Sequence, residues 1–543
     1  MSKKIDGSSF IKGAAILGIA SLISKMLGLG YRIPYQNITG DLGYYVYTQV
    51  YPMYGTLLVF ATAGFPIAIS KIVSEKLAVG DTRGVRKVFK VSVATLIVTG
   101  ILSFLLLYWG AEWIALWMGN PKLILPIRSV SFALLVVPPM AAMRGYFQGH
   151  QNMLPTAVSQ ITEQLVRVTT IIALAYWLMM TTGNEYLAGA GAVFGAFTGA
   201  CAGFLTLILF WRKNQSVHKG MENNENYSFP EESSWALIKR ILYYSIPICL
   251  GALVLPLLQL SDSFTVANLL VQTGITSHEA NILKGVFDRG QPLVAFGAFF
   301  ATGLALSLVP AISEAQARNA YKMIRNRTEL ALRLTLIIGL PTSVGLAVVA
   351  APVNIMLYQN DKGTDTLMVL AFTTLFSTLG ITSAGILQGL GRVILPARNL
   401  LIGVILKVTL NFILIPSFGI TGAAIATVAS YGLATLFNLY AVIQSTGARI
   451  DLGSFFFKPV ISVIVMALAV WLVENTCMDL LFGIITNYRI YYSIVALISV
   501  IIGGLIYGIC LLLSGSISKA EMALIPKANK FIPILSRLYL LRD

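Results

Sequence analysis

Charge is scarce in this 543-residue chain: only 11% of its residues are Asp, Glu, Lys or Arg. A water-soluble domain carries about 25%, so a soluble multidomain enzyme is excluded at once. Histidine and cysteine are scarcer still. His150, His218 and His278 stand far apart, and Cys201, Cys249, Cys477 and Cys510 fall singly in apolar stretches with no CxxC pair. Such spacing argues against zinc, haem and a disulfide framework, and leaves the thiols as small hydrophobes. No G-x-x-x-x-G-K-[ST] loop occurs, so nothing supports ATP-driven work. No Ser/His/Asp or Cys/His arrangement stands out either, so no catalytic constellation marks an enzyme. Neither cofactor nor metal is expected.

Apolar residues, by contrast, make up 56% of the chain. Apolar runs bounded by charged, Gly or Pro clusters fall at 13–33, 46–70, 91–111, 129–148, 154–179, 188–211, 241–264, 286–311, 334–356, 367–388, 399–416, 421–443, 459–473 and 491–513. At about 20 residues per crossing, these read as spans. The first follows Lys3, Lys4 and Lys12, lacks an A-x-A cleavage site and is longer than a signal core, so it reads as a retained helix. The expected fold is an all-α integral membrane protein with about 14 transmembrane helices.

The net charge of +16 has two readings, nucleic acid or membrane orientation. Sorting decides between them. About 29 of the 39 basic residues fall in ends and loops on one side (1–12, 71–90, 143–152 with Arg144, 212–240, 314–333, 389–398, 446–458 and 515–543), and about five (Lys122, Arg128, Lys284, Lys362, Arg489) on the other. That asymmetry predicts an even span count with both termini cytoplasmic, and it removes nucleic acid as a partner. The linker 213–240 mixes Lys213 and Lys219 with Glu222, Glu225, Glu231 and Glu232, and the tail 515–543 alternates basic and apolar residues as an inner-surface amphipathic segment does.

An internal repeat appears at an offset of about 240 residues. Gly145-Tyr-Phe-Gln148-Gly149 returns as Gly385-Ile-Leu-Gln388-Gly389, Leu154-Pro155 as Leu395-Pro396, and Arg167 as Lys407. Ala63-Gly64 with Ser74-Glu75 returns as Thr302-Gly303 with Ser313-Glu314. Six spans per repeat keep the halves in one orientation, a parallel repeat of the kind found in transporters. The expected domains are a six-helix lobe at 1–212, the linker 213–240, a second six-helix lobe at 241–445, two extra helices at 446–514 and the tail 515–543. A transporter with a central cleft and alternating access follows.

Eight charged residues fall inside or at the edge of spans: Lys25, Arg32, Arg167, Arg289 and Lys407, with Glu163, Asp262 and Asp288. Each costs about 2.5–3.5 kcal/mol on the insertion scale, so they must meet one another or a watery cavity. Five cations against three anions favour an anionic passenger. Gly18, Ser21, Lys25, Gly28 and Arg32 share one helical face. The stripe reads either as close packing, with Arg32 snorkelling outward, or as a cavity wall; mid-span Lys25 favours the wall. Asp288 and Arg289 precede Pro292 and point about 100° apart, so they need not pair. Arg289 suits bidentate phosphate contact. Glu163 and Arg167, four apart, suit an intrahelical ion pair.

Phe10-Ile-Lys-Gly-Ala-Ala, Ile23-Ser-Lys-Met-Leu-Gly-Leu-Gly-Tyr-Arg-Ile-Pro34, Gly145-Tyr-Phe-Gln-Gly and Glu163-Gln-Leu-Val-Arg-Val resemble polysaccharide-exporter flippases. Leu406-Lys-Val-Thr-Leu-Asn-Phe-Ile-Leu-Ile-Pro416 and Gly419-Ile-Thr-Gly-Ala-Ala424 fit the same group. Within it the chain is similar to the branch of stage V sporulation protein B relatives and MurJ-type lipid II flippases, across essentially its whole length. The resemblance implies two lobes around a cationic cavity and a groove at the last two spans for a polyprenyl tail. It implies that Lys25, Arg32, Arg289 and Asp288 contact the lipid-linked diphosphate, supported by Lys407, Glu163, Arg167 and Asp262. It also implies a monomer in the bacterial cytoplasmic membrane, driven by an ion gradient or the membrane potential, working beside the cell-wall synthesis machinery. The passenger would be lipid II. Another undecaprenyl-linked polysaccharide or teichoic-acid unit is the alternative, with a multidrug/cation antiporter more distant. Two features depart from the family pattern: 50–64 carries no charge, and Gln291-Pro292 stand where an acid follows the span-eight pair.

Overall fold

The computed structural model describes residues 7–220, 232–449, 453–481 and 483–515. Lys3, Lys4, the acidic part of the linker at 221–231 and the tail from 516 onward lie outside the described residues. Among the described residues every regular element is a helix. Internal packing divides the chain into Met1–Asp288 and Arg289–Asp543.

The N-terminal unit holds α1 (Gly7–Gly30), α2 (Arg32–Thr62), α3 (Phe65–Ala78), α4 (Thr82–Trp109), α5 (Ala111–Trp117), α6 (Ile124–Ser131), α7 (Ala133–Gly149), α8 (Leu154–Thr182), α9 (Glu185–Gly220), α10 (Ser234–Ala252), α11 (Val254–Gln272) and α12 (Ser277–Arg289). The C-terminal unit holds α13 (Gln291–Gly297), α14 (Phe299–Ala317), α15 (Tyr321–Val348), α16 (Ala350–Tyr358), α17 (Thr364–Gly389), α18 (Ile394–Thr446), α19 (Lys458–Leu481) and α20 (Tyr488–Leu513). The packing boundary falls after the polar linker because α10 and α11 pack on α2, α3 and α4. Gly64 permits this: a Cβ there would lie 2.3 Å from the Ser245 carbonyl oxygen. The linker separates the sequence repeats; the packing boundary separates contacts.

Eleven helical stretches among the described residues are long and apolar enough to cross a membrane, or twelve if the bent pair α10–α11 is one span. The fourteen expected from hydropathy are therefore not reproduced as fourteen separate helices. The difference has a physical source. Ile16–Ala78 and Ile394–Thr446 run 63 and 53 residues, and each takes in two of the expected apolar runs. Both stretches contain a glycine at positive φ, Gly40 (68°) and Gly419 (56°), where two helices join across a kink. Every expected run lies on a helix.

Both units reproduce one packing device. In the N-terminal unit α7 lies on α3: a Cβ at Gly149 would come 2.6 Å from the Val73 Cβ, and Ser74 Oγ donates to the Gly149 carbonyl at 2.9 Å. In the C-terminal unit α17 lies on α14: a Cβ at Gly389 would come 2.8 Å from the Ile312 Cβ, and Ser313 Oγ donates to the Gly389 carbonyl at 3.0 Å. Left-handed residues also recur at matched places, Gly80 with Asn319, Gly119 with Gln359, and Gln151 with Gly391. The repeat seen in the sequence is thus a repeat of helix contacts and turns. In the C-terminal unit α19 and α20 pair with each other and pack on α15 and α16, with Tyr507 Oη donating to the Ile337 carbonyl at 2.6 Å.

Overpacking a closely packed site costs about 1–3 kcal/mol. Gly149→Val and Gly389→Val should each lower the melting temperature of the detergent-solubilised protein by several degrees. Gly18→Ala, whose Cβ meets nothing within 4 Å, should leave it unchanged. Equal melting of all three would show that the close approaches are not present in solution.

Candidate functional site

The site is built on α1, α2, α7 and α8 of the N-terminal unit. The small residues of the α1 stripe pack against α8: Ser21 Oγ donates to Gln160 Oε1 at 3.4 Å, and a Cβ on Gly28 would lie 3.3 Å from Gln164 Nε2. Lys25, between them in sequence, is exposed. The stripe therefore serves packing at Ser21 and Gly28, while Gly18 and Lys25 are open to the surroundings. Arg32 opens α2 and is half-buried, and its Nε has no hydrogen-bond partner among the described residues.

Beside it α2 presents a row of phenols. Tyr44, Tyr47, Tyr51 and Tyr54 follow offsets that keep one face of a helix. Tyr47 and Tyr51 stack with centroids 5.3 Å apart, Tyr51 meets Tyr54 edge-on at 5.6 Å, and Tyr31 hydrogen-bonds to Tyr47 through the two hydroxyls. Arg32 and, from α8, Arg167 both lie within electrostatic range of Tyr47 and Tyr51. A phenol wall suits an anion site, because each hydroxyl can donate a hydrogen bond and none adds a competing charge.

Arg167 belongs to a triad. Its Nη2 donates to Glu163 Oε1 at 2.5 Å, and Arg144 Nη2 donates to Glu163 Oε2 at 2.8 Å. Arg144 Nε also donates to Ser159 Oγ at 3.0 Å. The three charged side chains are only 12–14% exposed. Arg167 Nε is buried without a hydrogen-bond partner, as is the Tyr54 hydroxyl. The expected Glu163–Arg167 pair is present, but Arg144 was read from the sequence as a loop cation and is instead its second partner. The glycines of α9 hold this arrangement in place. A Cβ at Gly199 would come 2.6 Å from the Glu163 carbonyl oxygen and 2.8 Å from Arg167 Cβ, and one at Gly203 would come 3.0 Å from Glu163 Cβ.

The remaining expected residues have separate surroundings. Asp288 accepts both from Lys284 Nζ, at 2.5 and 2.6 Å, and from Thr48 Oγ1 at 2.6 Å. Lys284 was expected in an outer loop; α12 carries it into the protein, where it is 2% exposed. Arg289 points elsewhere within the C-terminal unit: it donates to the Lys362 carbonyl and sits over the Tyr358 ring at 5.0 Å, while Tyr358 Oη donates to the Arg289 carbonyl at 2.7 Å. It thereby anchors the turn between α16 and α17. Lys407 is 2% exposed on α18, and Asp262 is buried on α11. Among the described residues no group of three or more His, Cys, Asp or Glu could hold a metal ion.

Residues 10–316 match the family model described as polysaccharide biosynthesis protein. The chain belongs to the polysaccharide biosynthesis protein family. A second model, MatE, matches residues 247–413 of this family member. It is 37% identical to the uncharacterized membrane protein YabM of Bacillus subtilis, over 97% of this chain and 96% of that one. It is 28% identical to the lipid II flippase MurJ of the same organism, over 93% and 95%. A solved lipid II flippase MurJ in an inward closed conformation superposes with a TM-score of 0.65 at 16% identity, covering 91% of this chain and 98% of that one. An inward-facing multidrug resistance MATE transporter of the MOP superfamily gives the same TM-score at 14% identity, covering 80% and 98%. Those superpositions establish the fold. This member of the family is accordingly a multi-pass membrane protein with the fold that those solved transporters share.

Removing one partner of a buried ion pair costs about 3–5 kcal/mol, whereas replacing both with apolar groups is often neutral. Asp288→Ala should therefore lower the melting temperature in detergent sharply, and the double change Lys284→Met with Asp288→Leu should recover most of the loss. A single variant as stable as the double one would contradict the buried pairing.

Proposed function

We propose that the protein moves a polyprenyl-diphosphate-linked cell-wall precursor, lipid II in the first instance, from the inner to the outer leaflet. The observation that carries this reading is the pair of buried guanidinium Nε–H groups, on Arg32 and Arg167, left without partners beside a wall of phenols. Buried charged donors are costly to leave unsatisfied, and phosphate oxygens are the acceptors that guanidinium groups suit best. Three guanidiniums against one carboxylate give this cluster a charge of +2. A diphosphate esterified at both ends carries two negative charges, so the match is close. A cationic drug would meet repulsion here, which disfavours the antiporter reading despite the shared fold.

In this mechanism Lys25, exposed two turns ahead of Arg32 on α1, draws the diphosphate in. Arg32 and Arg167 hold it through their free Nε edges, with phenol hydroxyls completing the shell. The polyprenyl tail stays in lipid along α19 and α20, whose outward faces carry Leu468, Trp471, Ile501 and Leu505. Both termini face the cytoplasm, and the membrane potential, worth about 2.3 kcal/mol per charge per 100 mV, resets the cycle by alternating access. The similarity to MurJ supports lipid II over other passengers. Other undecaprenyl-diphosphate glycans share the group this cluster reads.

A hydrogen bond to a charged group is worth about 1.5–3 kcal/mol. Arg32→Ala and Arg167→Ala should each slow lipid II translocation in proteoliposomes by about 10–100-fold, with unchanged elution from size exclusion. Lys25→Ala should act mainly on the rate at low lipid II and at high salt. Wild-type translocation by the two arginine variants would refute the site. Faster transport of an undecaprenyl-diphosphate oligosaccharide than of lipid II would keep the site and change the passenger.

A further inference from the structure

Both arginines that face the phenol wall could be satisfied by a bound anion, yet only one of them has a carboxylate already in place. Glu163 uses its two oxygens on two different guanidiniums, Oε1 on Arg167 and Oε2 on Arg144. Arg167 gives Nη2 to Glu163, and its Nε is left buried without a hydrogen-bond partner. Arg144 gives Nε to Ser159 and Nη2 to Glu163, so it restrains the carboxylate.

The other copy of the repeat shows what this position looks like without the carboxylate. Arg167 corresponds to Lys407 within one residue of register, while Glu163 falls at Gly403 or Val404 and Arg144 at Ala384, so no acid stands at the matching place. A Cβ at Gly403 would lie 2.9 Å from the Ser430 carbonyl oxygen, so close helix packing occupies the space an acid would need. The cation is kept in both copies, and the carboxylate clamp stands in one alone. An intrahelical partner needed merely to bury a cation would be equally useful in both.

We propose that Glu163 is a positioning residue and a built-in competitor of the substrate diphosphate. It aims the Nε edge of Arg167 at the anion, and its charge keeps the cluster at +2 rather than +3, so that the diphosphate is held briefly and let go. Arg144 tunes this by drawing the carboxylate away from Arg167. The inference rests on the diphosphate reading given above.

The test measures lipid II translocation in proteoliposomes across a range of lipid II densities, together with lipid II binding in detergent. Glu163→Gln should lower the half-saturating density and tighten binding by about tenfold, while the maximal rate falls by a similar factor. Glu163→Asp, which retains the charge, should move both values back toward wild type. Arg144→Gln should act in the opposite direction, weakening binding, because the carboxylate is then left to Arg167 alone. It also decides the matter if Glu163→Gln fails to fold. A purely structural clamp predicts that Glu163→Gln and Arg144→Gln weaken binding together, and that result, or no shift in either, overturns the role of Glu163. If wild-type protein neither binds nor moves any diphosphate-linked lipid, the functional reading itself falls, and this inference with it.

Discussion

A charge in hydrocarbon has to be answered by another charge or by hydrogen bonds, and in the N-terminal unit that demand converges on one carboxylate. Glu163 answers Arg144 and Arg167 at once. Much of the surrounding architecture follows from keeping that arrangement in place. The glycines at 199 and 203 bring α9 against the backbone that carries Glu163, so α8 has no freedom to swing the carboxylate away. The small residues of α1 bring Arg32 to the start of α2 by packing on Gln160 and Gln164 of the same helix α8. The phenols of α2 then stand beside Arg32 and Arg167. Three guanidiniums and one carboxylate leave this cluster with a positive balance.

The two members of the Asp288–Arg289 pair illustrate a different use of the same physics. Neighbours on a helix diverge by about 100°, and these two end in different units, Asp288 against Lys284 and Thr48, Arg289 against the turn at Lys362. Both are nearly inaccessible. Their charges are absorbed locally, which distinguishes them from Arg32 and Arg167, whose Nε groups are buried and unanswered. A buried charge by itself says little about a substrate; the orphaned donor is the informative feature.

Much of this was legible in the residues. The apolar runs lie on helices, the offset repeat is a repeat of contacts such as Ser74 with Gly149 and Ser313 with Gly389, and Glu163 does pair with Arg167. Arg144 and Lys284 were misplaced because hydropathy assigns a cation near a helix end to the loop. Which way the side chain turns is decided by the neighbouring helix, through Glu163 for one and through the i+4 carboxylate of Asp288 for the other. The phenol row had a signal that counting spans overlooks. Seven tyrosines crowd the stretch from Tyr31 to Tyr54, and four of them keep helical spacing. The span count diverged for a simple reason: the runs on either side of Gly40, and those on either side of Gly419, follow one another along one helical stretch that is bent at a positive-φ glycine, so each pair counts once.

The matched left-handed turns, Gly80 with Asn319, Gly119 with Gln359 and Gln151 with Gly391, sit 239 or 240 residues apart. Across that stretch the two copies differ in length by a single residue, although most of their side chains have diverged. Chain length between turns has therefore been held far more tightly than chemistry. A duplicated scaffold with locked spacing can let one copy specialise in recognition while the other drifts toward plain apolar packing, and neither change disturbs the frame that both copies share.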